Sequence, residues 1–572
     1  MQTNASVGRR VLLHDAHQVS AVWTTASVSE AGWPSRGIGY NHKASTNWGL
    51  PVNTRIESQR TGWPSIGILK DGNTNYEFTM GHIATTGGWV LSKNSSIGNT
   101  SFSNQTTVLT QLNNKVSIWG RAASNNKNYI HLVSNYYSST ADGIPVVKIN
   151  GVSNPTTYCR SYDGGVTWDK QFVVLPGYDS TRIVAGGGDN YAIDVKDSIV
   201  AIVLGGTGED VVLYKSTDNG NSFTKIMVEE FPYSPFTKKY IANDNRAATS
   251  DGSFDVIIDN NYKTHVFYGR SYVSDEDTTD DSYSFYPGTA SLIHWAEGWD
   301  SVNICGYAKD YNQNSTLDIT RETTSALDQS NNLPANVSSA TRYNNTSLVS
   351  FPSSAIDADG NLFVTYSAPH EEALSPYNAN YRDIYVSYSK DGGITWTIGQ
   401  NITANANGLI ANKENVFGSV AKNCDNYLHL VYQEDDLPGT NLQNNGNSGT
   451  HPNDEQRIMY RAIPVADILQ NKIGDVAAVK RVNVDPKIFF VSQNHPNPFN
   501  SETYANIYLR DGSELNLKIT DITGKVVKNQ NLGYYSAGNS LILINADGLN
   551  TGIYFYTLSN ESYSITQKMQ VN

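Results

Sequence analysis

The chain is written in short apolar runs separated by polar, glycine-rich turns, and one unit recurs along most of it. The unit is an apolar strand, a turn, a second strand often ending in an aromatic pair, a variable loop, and a third strand entering a glycine turn. Its clearest copy runs from Ser350 to Trp396, with strands at SSAIDADG, NLFVTYSA and DIYVSYSKDGGITW. Apolar and polar positions alternate there with the two-residue period of a half-buried strand. The second strand recurs at VSAVWTT, TNYEFTM, YIHLVSNY, SIVAIVLG, THVFYGR, LFVTYSA and YLHLVYQE, and the third at SRGIGYN, GGWVLSK, TTYCRSYD, VVLYKSTD, SLIHWAEG, IYVSYSKD and RIMYRAI.

Antiparallel units repeating on this scale predict an all-β propeller, because radial closure leaves few exposed sheet edges. Seven blades are expected, with six as the alternative, over residues 1–465. Residues 466–487, ADILQNKIGDVAAVKRVNVDPK, hold the only mildly helical pattern and read as a linker. From 488 to 572 short alternating strands such as TYANIYLR, ELNLKITDI and GIYFYTL, broken by DGS, TGK and SAG turns, predict a small Ig-like β-sandwich.

Composition narrows the function classes. The net charge of −13 over 572 residues gives no basic footprint for nucleic acid or an anionic membrane. No run approaches the 18 or so apolar residues of a membrane helix. The opening MQTNASVGRRVLLHD lacks the apolar core of a signal peptide, so an exported chain is expected to have its leader upstream of Met1. Cys159, Cys305 and Cys424 are far apart and show no metal-binding spacing. The histidines are scattered, with His131, His265 and His429 expected to pack within strands, and no nucleotide-binding or serine-hydrolase motif is present.

Three segments share one pattern: Ser161-Tyr-Asp163-Gly-Gly165-Val-Thr167-Trp168, Ser216-Thr-Asp218-Asn-Gly220-Asn-Ser222-Phe223 and Ser389-Lys-Asp391-Gly-Gly393-Ile-Thr395-Trp396. An aspartate there can accept bonds from following backbone N–H groups, glycine supplies a positive φ, and the aromatic ring anchors the hairpin. These segments resemble Asp boxes, the turns of sialidases and many other β-propellers. The resemblance implies structural turns on one face and ligand-binding loops on the other, between second and third strands.

The longest such loops are SDEDTTDDSYSFY, APHEEALSPYNANYR and QEDDLPGTNLQNNGNSGTHPNDEQ, and long loops on a rigid scaffold are where function concentrates. They and their flanks supply the candidate ligand-face residues Arg270, His370, Glu371, Glu372, Arg382, Glu434, Asp435 and Asp436. Sialidases clamp a carboxylate with three arginines, use a tyrosine and glutamate pair as nucleophile, and carry a YRIP-like motif in the first blade. The nearest segments here, around Arg36, Arg55 and Arg60, lack it. The chain is therefore read as leaning away from catalysis, with a divergent glycoside hydrolase as the alternative and no catalytic residue assigned. A hydrolase would need two facing carboxyls roughly 5 to 9.5 Å apart.

Asp275, Asp277, Asp280 and Asp281, with Glu276 among them, form an oxygen-rich loop that is a candidate for Ca²⁺, although it lacks the glycine and glutamate of an EF-hand. No other cofactor is expected. Asp277-Thr278-Thr279 resembles short O-glycosylation acceptor sites of Bacteroidetes, with Thr278 as acceptor.

The last domain carries Pro496-Asn497-Pro498-Phe499-Asn500, then ITDITGKVV with Gly524 and NADGLNTGIYFYTL with Gly552, in which Leu549 and Gly552 are expected to make the turn into the final hairpin. It resembles a type IX secretion system sorting domain of the Bacteroidetes type A class. That implies the type IX machinery as a partner and a place at the cell surface or in the medium. The expected function is a noncatalytic extracellular propeller that binds a glycan or protein, or builds a surface assembly through self-association; a filament subunit is a further alternative.

Overall fold

The computed structural model describes the chain from Ser6 to Asn572 except residues 28–32, 45–46, 51, 53, 84–85, 111–114, 126, 238, 243–244, 281, 300–302, 306–342, 344–345, 377–379, 398, 404–412, 440–455, 474–488 and 562. It divides into two compact units, Met1–Val476 and Ala477–Asn572.

In the first unit the strands gather, in chain order, into successive antiparallel sheets. The first to sixth sheets begin at Val11–Leu13, Gly62–Asp71, Val116–Ser124, Tyr191–Lys196, Ala247–Ile258 and Ser350–Ile356, and each has four described strands. The seventh has three, Glu414–Val420, Tyr427–Asp435 and Arg457–Pro464. Each expected second strand pairs with its expected third strand; Ile202 opposite Tyr214 and Thr365 opposite Val386 are examples.

Separate apolar clusters join neighbouring sheets. Val22, Ile38 and Ile66 join the first to the second; Leu91 and Leu132 the second to the third; Val133 and Ile202 the third to the fourth; Val203 and Val256 the fourth to the fifth. Ile257 and Val364 join the fifth to the sixth, and Ile384 and Leu430 the sixth to the seventh. The last sheet returns to the first, where Ala421 and Val431 pack with Val11, Val19 and Ala21. Burying each such side chain is worth roughly 1.5–3 kcal/mol.

Coverage on both faces changes one sequence expectation. Asn380–Ser389 and Glu414–Val420 are buried at every position, so these strands are not half-exposed. Their alternation sets large apolar residues against small polar ones such as Ser387 and Ser419, and both sides lie inside.

The three repeated turns each join a third strand to a fourth. In the last, Ser389 Oγ donates to Asp391, whose Oδ1 accepts from the Thr395 N–H at 2.9 Å while Oδ2 accepts from the Thr395 hydroxyl at 2.6 Å. Burial pushes the Asp391 and Asp218 carboxyls up, but these bonds outweigh it and hold both at about 2. Each aromatic packs on the preceding sheet: Trp168 joins the Leu91 cluster, Phe223 meets Tyr158 edge-on at 5.0 Å, and Trp396 meets Phe267 at 5.5 Å.

The segment expected to open the linker belongs to the first unit up to Ile473. Val465–Ile468 forms one helical turn, and Ile468 is buried against the seventh sheet, because its apolar side chains have a core to enter. The rest of the expected linker lies outside the described residues.

The second unit has a sheet of Phe489–Val491, Glu502–Leu509 and Gly538–Asn545 and another ordered Val526–Tyr535, Ser513–Asp521, Gly552–Ser559, Ser564–Val571. Here alternation is literal, with every second residue of Thr503–Leu509 buried around Phe489, Ile507, Leu517, Tyr556 and Met569.

Gly393 (φ 91°) and Gly392 (φ 70°) separate strain from packing. A Cβ on Gly393 would lie 2.2 Å from His294 Cε1, whereas one on Gly392 would meet nothing. Gly392→Ala should cost about 1 kcal/mol from backbone strain alone, and Gly393→Ala about 2 kcal/mol or more. All ten tryptophans precede residue 477, so tryptophan fluorescence during urea unfolding reads the first unit; equal losses for the two variants would refute the packing role.

Candidate functional site

First strands of several sheets face a common cavity of 590 Å³, lined by Ile66, Arg121, Ile193, Asp255 and Lys422 among others. The segment Ser6–Arg10, just before the first strand, runs along it. Arg121 Nη2 donates to the Ser6 carbonyl at 2.8 Å, and Arg9 Nη1 donates to the Ser354 carbonyl at 2.7 Å, with Asp255 3.4 Å from Arg9 Nη2. Val7 packs on Tyr343, Phe351 and Phe417. Lys422 Nζ binds Asp194 at 2.6 Å.

Desolvation dominates this interior. Burial and the neighbouring Arg121 lower the Arg10 guanidinium to about 9, and burial raises Asp189 to about 6 against the pull of Arg121. The Asp189, Asp194 and Asp255 carboxylates meet Arg121, Lys422 and Arg9 respectively, so the groups that a charged ligand would need are already paired within the chain, one of them by the N-terminal segment.

A smaller pocket of 260 Å³ lies at the end of the sheets opposite the three turns and is lined by Asn190, Thr207, Glu209, Asp251, Tyr283 and glycines. Burial and then the adjacent Asp210 raise the Glu209 carboxyl to about 8, so it holds a proton at neutral pH and can donate a hydrogen bond to a neutral ligand. Asp251 accepts from Ser253 and Ser347 instead of pairing with it.

A tyrosine, glutamate and arginine do come together, at a place sequence reading missed. Tyr343 OH donates to Glu414 Oε1 at 2.5 Å, the Arg382 backbone N–H donates to Glu414 Oε2 at 2.6 Å, and Arg382 Cζ lies 5.7 Å from the Tyr343 ring centroid. Tyr343 and Glu414 are 0% exposed and Arg382 1%. Arg382 was expected on a ligand-facing loop; it is buried because the Ser347 and Leu348 carbonyls accept its guanidinium.

Other sequence candidates are also occupied by the fold. Arg270 binds Glu229 at 2.6 Å, Arg457 binds both Glu434 and Asp436, and Asp435 is buried where an exposed acidic rim was expected. His370, Glu371 and Glu372 fall within the strand Leu362–Leu374 and not in a loop, and their side chains lie outside the described residues. Asp277 and Asp280 accept from Thr279 and Ser282 in their own turns, Asp275 is buried, Thr278 is half-buried beside them, and Asp281 lies outside the described residues. These aspartates do not converge as a ligand set among the described residues.

In the second unit Asn497 Oδ1 accepts from the Gln570 N–H at 2.8 Å, and Phe499 enters the core while its N–H donates to the Gln570 carbonyl at 3.0 Å. Pro496 and Pro498 flank Asn497, and the Pro496 carbonyl accepts from Thr503; Asn500 follows in the bend after Phe499. Gly524 takes φ 85° in the turn between Asp521 and Lys525. Gly552 does not make the turn into the final hairpin: the left-handed residue is Gly548 (φ 80°), within a turn closed by Leu549 N–H to the Ala546 carbonyl, and Gly552 begins a strand.

Residues 494–572 match the family described as "Secretion system C-terminal sorting domain". This tail implies export by type IX secretion. No curated protein matches the chain. Among solved structures it is similar to PorZ, an essential surface component of the type IX secretion system of Porphyromonas gingivalis, at 11% identity and TM-score 0.34 over 99% of this chain and 59% of that one. It is also similar to Trypanosoma rangeli sialidase (9%, TM-score 0.35, 99% and 83%) and to an α-L-arabinofuranosidase of Fusarium graminearum (9%, 0.37, 72% and 94%). At these scores none of the three bears on what the chain does.

Burial raises the Glu414 carboxyl to about 7, against Arg382 and Tyr343. A folded state that holds this proton above the unfolded value of about 4.3 is stabilised fully below that value, and the contribution fades as pH rises through 7. The Glu414 share of the first unit's stability should therefore fall by up to about 3 kcal/mol between pH 5 and 8, in the same direction as the shares of Asp189 and Glu209. Glu414→Gln should make the slope shallower by that share; an unchanged slope in urea unfolding followed by tryptophan fluorescence would contradict it.

Proposed function

We propose that the chain is a noncatalytic, seven-bladed β-propeller exported by the type IX machinery and acting at the cell surface or in the medium, where the end opposite its Asp-box turns binds a glycan or protein. The observation that carries the export half is the sorting-domain match over residues 494–572. The return of the seventh sheet onto the first supports the ring, since each sheet then has a neighbour on both sides.

The binding half draws on the small pocket. Asn190, Thr207, Tyr283 and a protonated Glu209 offer neutral donors and acceptors with ring surface beside them, a set suited to sugar hydroxyls. Catalysis is disfavoured: glycoside hydrolysis needs two accessible carboxyls across the bond, whereas Tyr343 and Glu414 are sealed under Val7 and Phe417. Self-association into a surface assembly, Ca²⁺ at the Asp275 loop and modification of Thr278 stay subsidiary readings.

Two measurements separate the halves. In type IX-competent cells, a version with its leader but ending at Gln493 should accumulate inside the outer membrane while the complete chain reaches the surface or medium; equal export of both would remove the first half. On a glycan array the complete chain should bind a neutral subset that Glu209→Ala weakens about tenfold, the scale of one lost hydrogen bond, while Glu209→Gln, which keeps a neutral donor and acceptor, retains it. Hydrolysis of any array glycan would overturn the noncatalytic reading.

A further inference from the structure

Away from that pocket, at the end of the sheets bearing the three repeated turns, two histidines and a glutamate converge where the first two sheets meet. His14 follows the first strand, His42 lies in Gly37–Ala44 and Glu77 in Thr74–His82. One candidate ligand atom from each lies within 4.8 Å of the others. His14 Nε2 is 3.1 Å from Glu77 Oε1 and 3.0 Å from Ser20 Oγ, which is 2.9 Å from His42 Nδ1.

The carboxylate is unusual in its company. Glu77 is 0% exposed, and among the described residues its ion-pair partner is His14 and no lysine or arginine. Its Oε2 accepts from Tyr40 OH at 2.7 Å, Asn94 Nδ2 at 2.8 Å and the Gly98 N–H at 3.0 Å, which fixes the group and leaves Oε1 turned toward His14. For His14, Nε2 is the nitrogen that has partners and faces the cluster; Nδ1 is buried without one.

We infer that His14, His42 and Glu77 form a binding site for a single borderline divalent cation, Zn²⁺ being the best fit. Two imidazoles and one carboxylate are a donor set zinc takes readily, with a fourth position left for water or the Ser20 hydroxyl. Tyr40, Asn94 and the Gly98 N–H orient the carboxylate from behind, the outer-shell support such ligands need. Since the three ligands come from two sheets, the ion pins the first sheet to the second.

The complete chain, stripped with a chelator, should take up one equivalent of Zn²⁺ in competition with a chromophoric chelator and unfold at higher temperature when loaded. With Co²⁺ it should develop visible absorption of four- or five-coordinate intensity. His42→Ala, at a partly exposed position that metal-free folding tolerates, should weaken uptake about 100-fold and abolish both the thermal gain and the Co²⁺ band. Glu77→Gln, checked for folding by tryptophan fluorescence, should do the same. Absence of one-equivalent uptake, or uptake and Co²⁺ spectra unchanged in His42→Ala, would overturn the site and leave a hydrogen-bonded network.

Discussion

Face-to-face burial between successive sheets is the constraint on which the first unit depends. A sheet covered on one side has a free face and a free edge; here the seventh sheet returns to the first through Ala421, Val431 and Val11, so the two ends of the series cover one another. Polar contacts reinforce the same junction, with the Arg10 N–H donating to Ser419 Oγ at 3.0 Å and His17 Nδ1 lying 2.5 Å from Asp425. Without that junction the apolar sides of the first and last sheets would meet water.

This closure also explains the state of the interior. First strands brought round a common cavity carry Arg121, Asp194 and Asp255 into it, Lys422 follows the last of them, and an unpaired charge there would cost several kcal/mol. Ser6–Arg10 helps to solve that problem by supplying Arg9 to Asp255 and a carbonyl to Arg121. Val7, Gly8 and Arg9 line the cavity and leave 590 Å³ of it open, while at the loop end of the sheets burial shifts the Glu209 carboxyl up to about 8 beside the hydrogen-bonded Asp251.

Strand order was legible because each repeat couples a two-residue alternation to a glycine turn, and both are local signals. Thus Ile199–Leu204 and Val211–Ser216 sit where SIVAIVLG and VVLYKSTD place them. The three aspartate turns were legible for the same reason: Ser389, Asp391, Gly393 and Thr395 make their bonds within seven residues. What could not be read was anything depending on which sheets touch. Arg382 looked like a loop arginine because its carbonyl partners lie 34 and 35 residues away, and Asp435 looked solvated because its burial comes from neighbouring strands. Tyr343 with Glu414, and His14 with Glu77, are separated by 71 and 63 residues. A local hint of the charged cavity was the Arg9-Arg10 pair directly before an apolar strand.

The two units solve the exposure of β-sheet differently, and the contrast bears on their roles. Strands of the first unit such as Asn380–Ser389 and Glu414–Val420 are buried on both faces and spend small polar residues inside, whereas outer strands such as Asn104–Val108 and Lys170–Val173 are partly exposed. The tail alternates literally, so one face of each sheet is outside, and that face is not wholly polar: Tyr504, directly opposite Leu543, is 40% exposed, Leu543 45% and Leu541 57%. Apolar side chains gathered on one outward strand pair are more than the scattered exposure a soluble surface tolerates without consequence. Meanwhile Phe499 and Asn497 are tied to the final strand, so the segment most diagnostic in sequence is spent on closing the sandwich. The surface such a tail offers is made by the outward residues of its strands, and the proline and asparagine motif holds those strands in place.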